Sequence, residues 1–420
     1  MSPPLRRSLL LAIPLVVMAA AMAFTAPLGA DYPGPPCSVC DFAGPPIAAL
    51  GHGDLGGFFS VQPVMGSFSL LLRTPFAAGA RLAGGGELLQ YQLGAFACLL
   101  GVVLFALALE RLMARRGSPL VVRLLVMGLT LANPLVFASL KWGHPEEPLA
   151  AVLAAGGVLL ALRGRSLAAG LALGLALATK QWAWLAILPA MIVVPGRVRF
   201  LATAAGTFGL FAVPMLIGDA GRFVAQIHHY GMPGNGVTPA NVWWVYGHKV
   251  SVAAGAPRGS ASYSIPDWLG HVSHPLVIVV ALALTVAYWR GRRERDPADV
   301  LALVALVFLV RAMLDPLTYS YHHLPFMVAL VSFEAMRRRV PVASMLVTAS
   351  VLVMTQIVAP LQDPNLLNRT YLAWAIPAAG YLAFTLFARR ERSTARSARP
   401  YLQPSFPTGP QRNESPSSAT

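Results

Sequence analysis

The sequence predicts an all-α polytopic membrane protein, with about twelve transmembrane helices and two long outer loops. Three observations predict the membrane architecture. Of 420 residues, 56% are hydrophobic and only 12% charged, with a mean hydropathy of +0.61. A soluble chain of this length has too much surface to cover with so few polar residues. The apolar residues also come in blocks of about 16 to 22, the length a helix needs to cross hydrocarbon while bonding its own backbone. Finally, the formal net charge of +15 is sorted by side of the membrane. No alternating strand pattern of the barrel kind competes.

In chain order, spans are expected at 9–28, 88–110, 120–140, 148–162, 166–179, 182–195, 200–217, 275–289, 300–314, 324–336, 341–359 and 371–388. Alternate joints then fall on the inner side. They hold 23 of the 32 Lys and Arg residues, including Arg115, Arg116, Arg163, Arg165, Arg197 and Arg199, against seven of the 17 acids. Retention of Lys and Arg in the cytoplasm explains the basicity. No nucleic-acid partner is needed, and both termini of this multi-pass cell-membrane protein are expected inside. Residues 5–28 share features with a secretory signal, but a retained first span is preferred, and either reading leaves the next loop outside.

The outer segments 29–87 and 218–274 are too apolar for free linkers and too broken by Gly and Pro for spans. They read as structured caps, with short amphipathic helices expected around 64–82 and 220–230. The membrane domain is expected to run over 1–392. Beyond it, the Ser-, Pro-, Arg- and Thr-rich stretch 393–420 is expected to be disordered cytoplasmic tail. Between 148 and 195 the spans are short, and basic residues at both ends of this segment place both ends inside. The chain must therefore turn back near Lys180. At that tip Lys180 either snorkels to the interface or points into an outer cavity and binds an anion.

All nine histidines and six of the eight tryptophans fall in outer segments. Tryptophan belts are ordinary at membrane surfaces. A one-sided histidine distribution points instead to an outer site with polar groups and aromatic platforms suited to a sugar or headgroup. Three stretches carry it. In the first outer loop, Asp41 precedes an apolar run, Phe42 to Leu50, where a carboxylate either caps the following helix or serves catalysis. Cys37 and Cys40 lie in the oxidising compartment, and a local disulfide between them is one reading. Nothing at ligand spacing completes a metal site, so no metal or cofactor is expected. Cys98, in an apolar span, reads as packing.

The second stretch is Lys141 to Ala150, in which His144, Glu146 and Glu147 open a membrane helix. Acids suit the positive end of the helix dipole, yet two of them beside a His and a Trp in one tight turn favour a site wall. The third is Arg311 to Phe326. Arg311 lies late in an apolar span, where a charge is costly without a partner or ligand. Asp315, four residues on, either pairs with it or leaves it for a phosphate. Tyr319, Tyr321, His322 and His323 follow on the outer face and are candidates to grip a sugar.

Taken together and in this order, these stretches resemble the membrane glycosyltransferases of the GT-C superfamily, closest to the polyprenyl-phosphate-mannose-dependent, alpha-mannosyltransferase-like family 87. The matching motifs are Asp41-Phe42, Ala49-Leu50-Gly51, Gln62-Pro63, the turn at Gly143–Glu147, the hairpin tip at Ala178–Trp182 and the stretch Leu314–His323. The resemblance covers roughly 9–388 and departs from the family at Val61-Gln62-Pro63, where a Tyr-Pro-Pro type segment is usual. It implies a sugar, mannose first, carried on a polyprenyl phosphate and moved to a lipid or cell-envelope glycan at the outer face. Inversion at the anomeric carbon is implied, with Asp41 as general base and Lys180 and Arg311 on the donor phosphate. His144, Glu146, Glu147, Tyr319, Tyr321, His322 and His323 would contact substrate. Two alternatives remain from the residues alone, a multi-span transporter or flippase and a non-catalytic lipid-glycan binder. Polar residues gathered at one surface disfavour a pathway through the protein, and loss of function on Asp41→Asn would separate an enzyme from a binder.

Overall fold

The computed structural model describes residues 3–25, 43–60, 66–231, 235–250, 263–291, 296–337 and 340–388. Helix accounts for 82% of the structure. Among the described residues the sheet is confined to the two-residue strands β1 (His248–Lys249) and β2 (Tyr263–Ser264), paired antiparallel.

The helices are α1 (Pro3–Thr25), α2 (Gly44–Gly51), α3 (Leu55–Ser60), α4 (Ser67–Leu82), α5 (Glu87–Arg115), α6 (Leu120–Leu131), α7 (Pro134–Lys141), α8 (Glu146–Leu162) and α9 (Ser166–Leu177). A 3₁₀ turn, Gln181–Ala186, leads into α10 (Ile187–Val193), followed by α11 (Arg197–Gly218), α12 (Ala220–Gly231), α13 (Asp267–Gly291), α14 (Asp299–Leu314), α15 (Leu324–Met336), α16 (Val342–Leu352) and α17 (Pro364–Phe387). Among the described residues, helix overlaps each predicted span. Six helical stretches are long and apolar enough to cross a membrane: Glu87–Arg115, Leu120–Lys141, Arg197–Gly218, Asp267–Gly291, Val342–Leu361 and Pro364–Phe387. Of the other predicted spans, 9–28 falls on α1, and 148–162, 166–179, 182–195, 300–314 and 324–336 fall on helices of 17 residues or fewer.

The buried helices α8, α14 and α15 occupy the middle of the bundle. α14 and α15 are apolar on every face, and nearly all their residues are buried; a helix apolar all round needs protein on all sides or lipid. α14 packs on α15, and α15 on α8. α9 lies against α11 through Gly170 and Gly174, four residues apart. A methyl at these positions would stand 2.5 Å from the Phe200 carbonyl oxygen and 2.7 Å from that of Ala204, so the missing side chains set the approach of the two backbones.

Both predicted amphipathic helices are present, as α4 and α12. Two expected span starts are corrected. The helix expected from 275 begins at Asp267 and runs through Pro275, and the one expected from 371 begins at Pro364. Asp363 caps α17 by accepting from the Asn365 and Leu366 amides. In both cases an acidic residue at the N-terminus starts the helix ahead of its apolar run.

Candidate active site

Two chain reversals bring the charged residues together. α7 ends at a turn through Gly143, whose φ of +76° is costly for any residue with a Cβ, and α8 then opens directly with Glu146 and Glu147. Between α9 and the 3₁₀ turn, Lys180 takes an extended conformation (φ −146°, ψ 129°) that ends one helix and starts the next segment. The reversal puts the Lys180 Nζ 2.8 Å from Glu146 Oε1 and 3.2 Å from Glu147 Oε1. Glu146 is fully buried, Glu147 nearly so, and Lys180 is 8% exposed. Charges this far from water persist only as compensated groups.

The start of α4 is laid across the same reversal. The Gly66 amide donates to the Thr179 carbonyl (3.0 Å) and the Phe68 amide to that of Ala178 (3.2 Å). A Cβ on Gly66 would fall 1.8 Å from the Ala178 oxygen, so this seat accepts only glycine. α4 thereby carries Arg73 to within 4.0 Å of Glu146 Oε2 and 5.8 Å of the Tyr91 ring centroid. Arg73 is absent from the residues expected at the site. An arginine inside the apolar run Leu70-Leu71-Leu72-Arg73 was the available signal, since such a charge needs a partner or a ligand.

His144 continues the cluster. Its Nδ1 lies 3.0 Å from Glu146 Oε1, so the proton is on Nδ1, because a carboxylate only accepts. Trp182 donates from Nε1 to Glu147 Oε2 at 3.2 Å, and Arg311 sits 6.0 Å from the Trp182 ring centroid. The indole thus joins the Lys180 group to the C-terminal end of α14.

There Arg311 Nη2 approaches Asp315 Oδ2 at 3.4 Å, the (i, i+4) pair anticipated. The pairing is incomplete: Arg311 Nη1 is buried with no hydrogen-bond partner among the described residues. Asp315 also faces His274 Nε2 at 3.7 Å. Burial works against the Asp315 carboxylate, but His274 and Arg311 outweigh it and hold the group well below the usual carboxylate range. The segment 235–250 anchors this corner. Thr238 Oγ1 donates to the Thr318 carbonyl (2.6 Å), Trp243 Nε1 to that of Leu314 (2.7 Å), and Asn241 to that of Asp315.

Tyr319 and Tyr321 stack with centroids 5.9 Å apart, Trp142 lies 5.4 Å from Tyr319, and His144 lies 4.9 Å from Tyr321. Flat rings of this kind offer platforms for the C–H faces of a sugar. His322 packs edge-on against both tyrosines. Burial, then the nearby Arg311, keeps it neutral by lowering it well below its ordinary value. His323 points elsewhere. It is 1% exposed, donates from Nδ1 to the Ser320 carbonyl and accepts at Nε2 from the Tyr371 hydroxyl, both at 3.1 Å. Burial lowers it to about 4, and it serves the packing of α17 rather than the wall around Lys180.

The structure therefore brings together His144, Glu146, Glu147, Lys180, Arg311, Tyr319, Tyr321 and His322, and leaves His323 behind them. Asp41, Cys37 and Cys40 lie outside the described residues, as does the 393–420 tail. Among the described residues no group of three His, Cys, Asp or Glu side chains converges as a metal site requires.

A model of glycosyltransferase family 87 matches residues 66–316, more than half of the chain. The match takes in Arg73, Glu146, Glu147, Lys180, Arg311 and Asp315 and stops short of the Tyr319–His323 turn. A search of curated proteins gives no significant match.

Proposed function

Because the chain belongs to glycosyltransferase family 87 and is a multi-pass membrane protein, we propose that it transfers a sugar from a polyprenyl-phosphate donor to a lipid or cell-envelope glycan, on the outer face of the cell membrane. Mannose is the first sugar to test. The observation that carries this reading is the buried meeting of three cations and three carboxylates beside an aromatic wall. Arg73, Lys180 and Arg311 stand against Glu146, Glu147 and Asp315. These charges nearly cancel one another, which allows them to be buried while still offering directed donors and acceptors.

The reaction needs no nucleotide. The acceptor hydroxyl oxygen attacks the anomeric carbon, the bond from that carbon to the phosphate oxygen breaks, and polyprenyl phosphate leaves with the electron pair. A phosphate leaving group calls for cations rather than a general acid. Arg311 is the first choice, since its Nη1 is buried and unbonded among the described residues. Lys180 is the second, its charge shared with Glu146 and Glu147. His144 and those carboxylates are suited to orienting sugar or acceptor hydroxyls, and Tyr319 and Tyr321 to stacking on the ring. The hydroxyl proton goes to a base in line behind the anomeric carbon, a role we give to Asp41, with inversion as the outcome.

The test uses purified protein in nanodiscs, a radiolabelled polyprenyl-phosphate mannose, membrane lipid extract as acceptor, and Asp41→Asn alongside. Labelled product from the wild type and none from folded Asp41→Asn is expected. Product retained at full rate by Asp41→Asn would remove the base assignment. No product from mannose, arabinose or glucose donors would overturn the donor class.

A further inference from the structure

At the ends of α8 to α11 away from Lys180, the α8–α9 and α10–α11 turns frame a cavity of about 1240 Å³. Ser166 ties the two turns together by accepting the Gly196 amide at 3.2 Å. The lining is of two kinds. Arg165, Arg197 and Arg199 supply charge, while Leu167, Ile192 and Val193 supply an apolar surface continuous with the helices.

Other arginines of the same layer are committed to the protein. Arg123 pairs with buried Glu110 at 2.7 Å, Arg337 pairs with Asp299, and Arg116 donates to the Met336 carbonyl at 3.1 Å. Among the described residues, neither Arg163 nor any of the three lining arginines pairs with a carboxylate, and all four are exposed. Arg197 Nε donates to the Met191 carbonyl at 3.1 Å. Around the α8–α9 turn the arginines also crowd one another: Arg163, open to solvent on one side and packed against the turn on the other, is pushed below its ordinary value by that partial burial and then by Arg165, Arg116 and Arg115. Retention of basic residues on one side explains why arginines are here. It does not explain why these frame an apolar-walled cavity and go without the carboxylates their neighbours have.

We propose that this groove binds the headgroup of an anionic phospholipid, with the phosphate on Arg165, Arg197 and Arg199 and the upper acyl chains against Leu167, Ile192 and Val193. A free anion would make no use of the apolar wall. A zwitterionic lipid brings a cation of its own to the arginines. The volume exceeds that of most drug-sized sites, roughly 300–1,000 Å³, and has room for a headgroup with the start of its chains.

The test reads binding, independently of transferase activity. Protein in neutral detergent is titrated with phosphatidylglycerol, with phosphatidylcholine and with inorganic phosphate, and bound molecules are counted by native mass spectrometry. A saturable phosphatidylglycerol adduct is expected, at least tenfold tighter than phosphatidylcholine. Each arginine lost should weaken it about fivefold, and R165Q/R197Q/R199Q on the order of a hundredfold. R290Q, exposed at the end of α13 and outside the groove, should bind like the wild type. Should the triple variant fail to fold, R165Q and R199Q singly carry the same test at about fivefold each. The proposal is overturned if the arginine variants bind phosphatidylglycerol as the wild type does, or if phosphatidylcholine binds equally. Displacement of the lipid by millimolar phosphate would also overturn it, marking the groove as a site for free anions.

Discussion

Lys180 illustrates how narrow the tolerance is at single residues. It faces two buried carboxylates at 2.8 and 3.2 Å, and removing it leaves them short of counter-charge, with Arg73 4.0 Å away. Breaking a buried ion pair on one side costs about 3–5 kcal/mol. Lys180→Gln is therefore expected to lower the unfolding temperature in detergent clearly, and adding Glu147→Gln to recover part of the loss. A single variant as stable as the wild type would mean that another cation holds these acids. His323 gives a pH prediction. Its folded value of about 4 lies below its ordinary 6.5, so between these limits the unfolded chain binds the extra proton. Stability from this residue is complete above about pH 6.5 and is lost as pH falls toward 4. Asp315, also depressed, acts in the same direction but only below its ordinary 3.8. His323→Phe should thus flatten the fall in unfolding temperature between pH 6.5 and 4.5, and an unchanged slope would assign that fall to other groups such as His322.

At the scale of elements, α9 and the segment that returns from it are half-helices. Twelve residues of α9 rise about 18 Å, against a hydrocarbon thickness of about 30 Å. Their reversal at Lys180 is therefore recessed into the bundle rather than riding on its surface, which accounts for the burial of the charges there. Such a hairpin depends on close contact with α11. Gly170→Ala is expected to destabilise by about 1–3 kcal/mol, since its methyl meets the Phe200 backbone. Gly206→Ala on α11, with nothing within 4 Å, should be neutral or slightly stabilising. Equal effects in a thermal unfolding series would deny the tight packing. The apolar runs were readable as helices because run length and backbone satisfaction leave no other solution in lipid. The pairing of Arg73 with Glu146 was not, because it joins residues 73 positions apart through a dock that depends on Gly66. The starts of α13 and α17 were misplaced because hydropathy marks where lipid begins, whereas Asp267 and Asp363 mark where helix begins. The membership of His322 and the separation of His323 rest on one 3₁₀ turn, Ser320–His323, which sends neighbouring rings to different faces.

Across the whole membrane domain, the ends of the helices differ in kind. Arg165, Arg197 and Arg199 lie at one end, joined there by the Asp299–Arg337 pair at the start of α14. The Lys180 cluster lies at the other end, with Arg311 and Asp315 at the close of α14 and the aromatic wall beside them. The start of α17 belongs to this second end, because Asn365 accepts from Trp244 Nε1 and Asn368 donates to the Asn241 carbonyl, while Asn241 itself donates to that of Asp315. Basic residues are retained in the cytoplasm, so the arginine end should face inward and the candidate site outward. The orientation can be measured without a substrate. In a background with Cys37, Cys40 and Cys98 changed to alanine, Gln362→Cys and Val198→Cys each place one thiol at an exposed position, at opposite ends of the bundle. A membrane-impermeant maleimide added to intact cells should label Gln362→Cys, and Val198→Cys only once the membrane is opened. The reverse pattern would turn the Lys180 cluster toward the cytoplasm, where nucleotide-linked sugars are the available donors, and the proposed polyprenyl-phosphate assignment would fall with it.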